Sequence, residues 1–332
     1  MGRYKSAFQK LKSRISKHAK AKGVSKLYLW VDFAWSFVVY GCSPTEYILY
    51  DFCELRHCSK RKFLTMRNSR KLEQIFEDPD YASTFNDKAL FNQTFSDFVR
   101  RRWLICSKDT THTPGGGYAH SEQIAEFFEA VDEVIVKPTG LSSGRGIFKL
   151  TEKEFLADQQ RYLEQFFRDG VLLEECVRNH DDLQALNPNV LNTVRVYTMT
   201  DAQNQVHILD AMLRIGQGSG VVDNFHNNGV ICRIDLDTGV LCTNGMDIDG
   251  FYHNVNSYTG KPYIGVTIPR WDELKRFVLD AAMVIPSARY VAWDVAVTPD
   301  GFEMIEGNYE PYTALLQMFE KRGVYRTMMG MR

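Results

Sequence analysis

The pattern of apolar and polar positions changes once along the chain. Up to about Asp80 it reads as helical, with aromatic-rich apolar positions from Tyr28 to Tyr50 and a basic segment from Lys60 to Lys71. Trp30, Phe33, Trp35 and Phe37 in this part are expected in a core or along an aromatic substrate wall. From Asn86 onward helices and strands alternate. Leu90, Phe91, Phe95, Phe98 and Val99 recur at helical spacing and predict a helix over Lys88 to Arg102, followed by the breaker Thr113-Pro114-Gly115-Gly116-Gly117.

The strands announce themselves by short apolar runs. Glu133 to Pro138 predicts a strand that stops at its proline, Thr139 to Gly146 a loop of small residues, and Ile147 to Leu150 a second strand. Glu154 to Phe167 reads as a helix ended by Gly170, ahead of the strand Val171-Leu172-Leu173. Thr193–Thr200 and Val206–Arg214 are joined by the polar turn Asp201 to Gln205, and Ile231–Leu236 returns to Val240–Leu241 across Asp237-Thr238-Gly239. Trp271 to Ala282 is the last long helix. Tyr290–Val297 and Phe302–Glu306 then form a hairpin through Thr298-Pro299-Asp300-Gly301. No internal repeat or low-complexity tract is present.

Composition narrows the function classes. A chain of 332 residues, 44% hydrophobic and 24% charged, is long enough for two or three packed subdomains. A formal net charge of −1 gives no sign of a nucleic-acid binder. The exception is local: every charged residue from Arg3 to Lys26 is basic, and Phe8, Leu11 and Ile15 lie between the lysines at helical spacing. That predicts a basic amphipathic helix, either a solvated face or a peripheral contact with anionic lipid or an acidic partner. No apolar run is long enough for a membrane span and no signal-peptide core follows the basic start, so a cytoplasmic chain is expected. The seven cysteines include no pair at zinc-knuckle spacing and read as reduced thiols.

Three places carry candidate chemistry. On the last hairpin, Asp294 and Glu306 fall on strands that the tight turn sets side by side. Asn308, two residues on, shares the Glu306 face. Such an oxygen-only set suits Mg²⁺, with Mn²⁺ as a substitute. The second place is Lys137 at a strand end, followed by Ser142, Ser143, Gly144, Arg145 and Gly146. Glycines let backbone N–H groups approach phosphate, and the lysine adds a point charge; the alternative is an ordinary glycine turn. The third is the strand end Glu174-Glu175-Cys176-Val177, whose backbone could meet an adenine edge. Asp181 or Asp182 would then reach ribose; the alternative is a solvent-facing acidic pair.

In this order and separation the three pieces resemble the ATP-grasp superfamily. Val291 to Gly301, Ile305-Glu306-Gly307-Asn308, Asn192-Thr193-Val194-Arg195-Val196 and Val222-Asp223-Asn224 look more narrowly like its sugar-transfer-associated members, over about Tyr81 to Pro311. The resemblance implies an α/β (α+β) ATP-grasp fold with two lobes clasping ATP. It would comprise a helical subdomain over 1–80, a nucleotide lobe over 81–175 and a metal-bearing lobe over 176–332. It implies that Lys88 and Lys137 touch phosphates, that the Glu175–Val177 backbone holds adenine, and that Asp294, Glu306 and Asn308 bind magnesium. Arg195, with Arg214 as second candidate, would neutralise the transferring phosphoryl group. His226-Asn227-Asn228-Gly229 departs from the glycines expected there.

The activity implied is an ATP-dependent carboxylate–amine ligase that works through an acyl phosphate, in polysaccharide or peptide-natural-product biosynthesis. A phosphotransferase acting on a hydroxyl and a non-catalytic nucleotide-binding regulator are the alternatives.

Overall fold

The structure, a computed structural model, describes residues 2–106, 121–139, 146–218 and 229–332. Its amino-terminal part is helical: α1 (Gly2–Lys22), α2 (Lys26–Tyr40), α3 (Pro44–Leu49), α4 (His57–Lys60), α5 (Met66–Phe76), α6 (Ala82–Asn86) and α7 (Lys88–Thr94). A small sheet follows, made of β1 (Trp103–Cys106), β2 (Glu133–Pro138), β3 (Phe148–Thr151) and β4 (Val171–Glu175), with helices α8 (Ser121–Glu129), α9 (Glu152–Ala157) and α10 (Gln159–Asp169). Its strand order is β1-β4-β2-β3, with every neighbouring pair antiparallel.

After α11 (Asp181–Gln184) come β5 (Thr193–Thr200), β6 (Val206–Ile215), β7 (Val230–Arg233), β8 (Gly245–Met246) and β9 (Tyr252–His253). Helix α12 (Trp271–Ala282), β10 (Tyr290–Thr298), β11 (Gly301–Asn308) and α13 (Tyr325–Met329) complete the chain. The larger sheet runs β11-β10-β5-β6-β7-β8-β9.

Strand alternation assigns each face of the larger sheet to a different neighbour. Val291, Trp293, Val295 and Val297 of β10, with Val194 and Val196 of β5, pack with α12, Phe91 and Phe95. The opposite face carries Tyr197, Met199, Met212, Tyr290 and Ala292, which bury against the aromatic residues of the amino-terminal helices and against Leu315, Met318 and Met328. Gln317 ties the two ends of the chain together through Leu64 and the Tyr50 hydroxyl, at 2.9 Å each. The helical cover stops short of one end of that face, and there the charged residues begin. The small sheet buries Leu104, Val134, Val136, Leu150, Val171 and Leu173 against α8, α9 and α10.

Three expected elements differ in extent. The helix expected over 88–102 ends at Thr94, because Phe95 turns into the core 5.3 Å from the Trp293 ring. The Phe98 carbonyl then accepts from the Met304 N–H, which pulls the chain along β11 and into β1, a strand absent from the elements expected from the sequence. The helix expected over 154–167 is two helices broken at Asp158 (φ −149°), the first started by a Thr151–Glu154 capping box. The last hairpin extends to Asn308 and carries a bulge. Thr113–Gly117, Ser142, Ser143, Gly144, Arg145, Val222–Asn224 and His226–Asn228 lie outside the described residues.

Candidate active site between the two sheets

The bulge in β11 sets the register on which the site depends. Asp294 faces Glu306 but Val295 faces Met304, so Ile305 is an extra residue with no partner on β10. Without it, Glu303 and Glu306, three apart, would point to opposite faces. With it, Glu303 opposite Ala296 and Glu306 opposite Asp294 both turn to the face that the helical subdomain leaves uncovered. Gly307 points the other way, where a Cβ would come within 2.9 Å of the Phe91 ring and 3.0 Å of Phe85; only glycine lets α6 and α7 pack so close behind the site.

Cross-strand neighbours complete the cluster. Arg195 on β5 lies directly opposite Asp294, and its guanidinium grips both carboxylate oxygens, Nε to Oδ1 at 2.7 Å and Nη2 to Oδ2 at 2.6 Å. Arg214 on β6 adds Nη1 to Oδ2 at 2.5 Å. Asp294 is buried. Burial alone would raise its carboxyl, but the two arginines outweigh it and hold it well below the usual carboxylate range. Glu306 behaves in the opposite way. Its side chain remains 52% exposed, yet protein atoms crowd the cleft around it, so burial and then the facing Asp294 charge push its carboxyl up, against Arg195 and Arg214. Asn308 Nδ2 donates to the Ala292 carbonyl at 3.3 Å and to Glu306 Oε1 at 3.5 Å.

Lys137 faces this cluster from the small sheet. It pairs in register with Leu172, one row from Ile135 and Glu174, on the sheet face turned toward the larger sheet, and its ammonium forms an ion pair with Glu174. Glu174 is 2% exposed and also accepts from Arg101 Nη2 at 2.6 Å and Asn92 Nδ2 at 3.1 Å. Burial would raise this carboxyl too, but Arg101 and Lys137 hold it well below the usual range. Arg101 reaches on to Glu303 at 2.6 Å and to the Met304 carbonyl at 2.5 Å, so one buried guanidinium joins β4 to β11. Arg101 and Glu303 carried no sequence signal of their own. Their clue was the bulge, which a period-2 reading of one strand cannot show.

Between the sheets lies a cleft of about 630 Å³, lined by Ile135, Lys137, Lys149 and Glu174 to Arg178 on one side and by Arg214, Asp294, Ile305 and Glu306 on the other. Pro188, Asn189, Val190 and Leu191 close one end. That loop is held by buried asparagines: Asn192 N donates to Asn179 Oδ1 at 2.7 Å, and Asn187 Nδ2 to the Gly216 carbonyl at 2.9 Å. At the end of β4, which lies between β1 and β2, the Glu175 N–H is taken by the Arg102 carbonyl and the Cys176 N–H by the Glu133 carbonyl.

Of the residues singled out from the sequence, the cleft lining therefore includes Lys137, Glu174, Glu175, Cys176, Val177, Arg214, Asp294 and Glu306. Arg195 and Asn308 stand behind it, bonded to Asp294 and Glu306. Lys88 opens α7, capped by Asp87, outside the lining residues. Asp181 is exposed and paired with Arg178 at 2.7 Å. Gly146, with φ +73°, is the described end of the small-residue loop.

The oxygen donors fit a hard divalent cation, with a restriction. Asp294 already accepts three guanidinium hydrogen bonds, and a carboxylate offers about four acceptor directions, so it has little left to give. Glu306, turned into the cleft, has more.

The profile of the family described as "Sugar-transfer associated ATP-grasp" matches residues 67–330, and the chain belongs to that family. Among solved structures, the ATP-grasp ligase PsnB complexed with minimal precursor, Mg and ADP is similar at 16% identity and a TM-score of 0.44, over 77% of this chain and 61% of that one. D-alanyl-alanine synthetase A from Vibrio cholerae is similar at 14% identity and 0.43, over 74% and 62%. The biotin carboxylase domain of the Hydrogenobacter thermophilus 2-oxoglutarate carboxylase gives 13% and 0.49, over 80% and 50%. The chain thus spans less than two thirds of the length of each of these three. No curated protein matches it.

Proposed function

From the chain's membership of the sugar-transfer-associated ATP-grasp family, we propose that it is an ATP-dependent carboxylate–amine ligase, acting in the assembly of a polysaccharide or a peptide product. The observation that carries this reading is the facing of Lys137 and the Asp294–Arg195–Arg214–Glu306 cluster across one cleft. Phosphoryl transfer needs little covalent help from protein, but it does need positioned positive charge around the phosphates.

Adenine is proposed to lie along the strand end at Glu175 to Val177. Since the Glu175 and Cys176 N–H groups are used within the sheet, the Val177 backbone is the donor assigned to the base edge. Lys137 would leave Glu174 for a phosphate oxygen, with Glu174 still matched by Arg101. Glu306, with Asp294 beside it in the cleft and Asn308 behind, would hold Mg²⁺, which when bound offsets phosphate charge. A substrate carboxylate oxygen attacks the γ-phosphorus, the bond to the β-bridging oxygen breaks, and ADP leaves with that electron pair. The amine nitrogen then attacks the acyl carbon, the acyl C–O bond breaks with its electron pair going to the departing phosphate, and the proton lost by nitrogen passes to that phosphate or to water. Arg195 and Arg214 are placed to offset the negative charge that develops in both steps. The basic α1 is proposed to meet an anionic lipid surface or an acidic partner.

Product analysis tests the ligase reading. Phosphate released only when both an acid and an amine are present supports it. A stable phosphate ester formed without amine, resistant to hydroxylamine as an acyl phosphate is not, would replace it with phosphoryl transfer to a hydroxyl.

A further inference from the structure

Helix α2 is apolar on both sides, and only one side is covered. Leu29, Phe33, Ser36 and Tyr40 face inward, with Leu29 and Tyr40 buried and the Phe33 ring 5.3 Å from Tyr47. The other side presents Leu27 (74% exposed), Val31 (61%), Trp35 (59%) and Val38 (65%), a stripe at helical spacing, with Tyr28 and Phe37 exposed at its margins. The single carboxylate of α2, Asp32, is turned away from the stripe and held by Lys60 at 2.9 Å and the Tyr47 hydroxyl at 2.9 Å. A soluble protein does not ordinarily leave a contiguous row of large apolar residues in water. No helix among the described residues is long and apolar enough to cross a membrane.

Cations mark both ends of the stripe. Exposed Lys26 stands in the first turn, and the exposed Arg67 guanidinium donates to the Val38 carbonyl at 3.0 Å and the Phe37 carbonyl at 3.4 Å in the last. Alongside, α1 packs on α2 through Ile15, Ala19 and Leu29 and leaves Lys10, Lys12 and Lys20 exposed. An apolar stripe with aromatic rings, bordered by lysine and arginine, is complementary to the boundary between acyl chains and anionic headgroups. A second copy docked on the same stripe would bring Lys26, Arg67 and α1 of both copies together, like charge against like.

We propose that α2 lies in the plane of an anionic bilayer surface, with Leu27, Val31, Trp35 and Val38 entering the acyl boundary and the flanking cations meeting headgroups. This deepens the contact proposed for α1 and is independent of the ligase chemistry, because none of these side chains lines the cleft.

The test is sedimentation of the full chain with vesicles of phosphatidylcholine alone or mixed with phosphatidylserine. Wild type should bind the mixed vesicles, and L27S/V31S/W35S should bind at least about tenfold more weakly. Its melting midpoint and ATP turnover should be unchanged, since these residues are exposed. V31D makes the same comparison should the triple variant fail to fold. Three results overturn the proposal: wild type that binds neither vesicle, a triple variant that binds like wild type, or a wild-type dimer that the triple variant turns into a monomer. Loss of binding in K10E/K12E/K20E but not in the triple variant would also overturn it, leaving only a contact of α1.

Discussion

Glu303 and Glu306 stand three residues apart on one face of β11, and their surroundings differ sharply. Glu303 is buried, and together with the equally buried Glu174 it shares the Arg101 guanidinium. Glu306 is half exposed, stands beside a second carboxylate, and shares two arginines that are already committed to Asp294. The first arrangement joins two lobes. The second keeps like charges together in a cavity, an arrangement that costs stability and gains only when a ligand arrives. The same residue type on the same strand thus sits in a closed, buried ion pair in one place and open to a cleft in the other.

The contrast breaks most visibly at Arg101. Arg101→Met leaves Glu174 and Glu303 without their shared cation, and should destabilise the protein by about 3–5 kcal/mol in denaturant unfolding. An unchanged midpoint would show that the lobes are joined elsewhere. The same joint has a pH signature. The folded-state value of Glu174 lies below the unfolded one, so its stabilisation is fully present above the usual carboxylate range and is lost as pH falls from that range down through the lower folded-state value. Glu174→Gln should therefore flatten the acid limb of a stability–pH curve, and an unaltered limb would contradict the assignment.

Glu306→Gln sharpens the other side. Turnover should fall by at least about a hundredfold, as for loss of a group that offsets transition-state charge. Unfolding free energy should rise rather than fall, by no more than about 0.5 kcal/mol, because a like charge is removed from beside Asp294 on a half-exposed side chain. Next in size, Lys137→Ala should weaken ATP binding about tenfold, the loss of one charge-assisted contact, with no recovery on adding Mg²⁺. The smallest effect is expected at Asp181. Exposed and outside the cleft lining, it should alter nucleotide affinity by less than about twofold when changed to Asn, as surface ion pairs contribute little.

Much of this was legible in the chain because it is local. Helix α12 and the strands β5, β6 and β10 follow from apolar spacing, and one hairpin brings Asp294, Glu306 and Asn308 onto neighbouring strands, but it is the bulge at Ile305 that sets Asp294 opposite Glu306. What was not legible depends on partners far away in sequence. The helical spacing of Phe95, Phe98 and Val99 overran the true end of α7 because the Phe98 carbonyl finds its partner in Met304 instead. Arg101 fell within the helix expected over 88–102 and carried no signal of its own; only the bulge at Ile305 turns Glu303 toward it. The exposed side of α2 read as core, since periodicity reports that a face is apolar and not what covers it.

In the proposed function the Glu306 cluster holds the cation that brings ATP into the cleft opposite Lys137. Titrating Mg²⁺ into wild type and Glu306→Gln at fixed ATP, with nucleotide binding as the readout, tests it most directly. Wild type should bind ATP in a magnesium-dependent manner, and Glu306→Gln should need markedly more Mg²⁺, or Mn²⁺, to reach the same occupancy. Superimposable magnesium titrations for the two proteins would contradict the assignment.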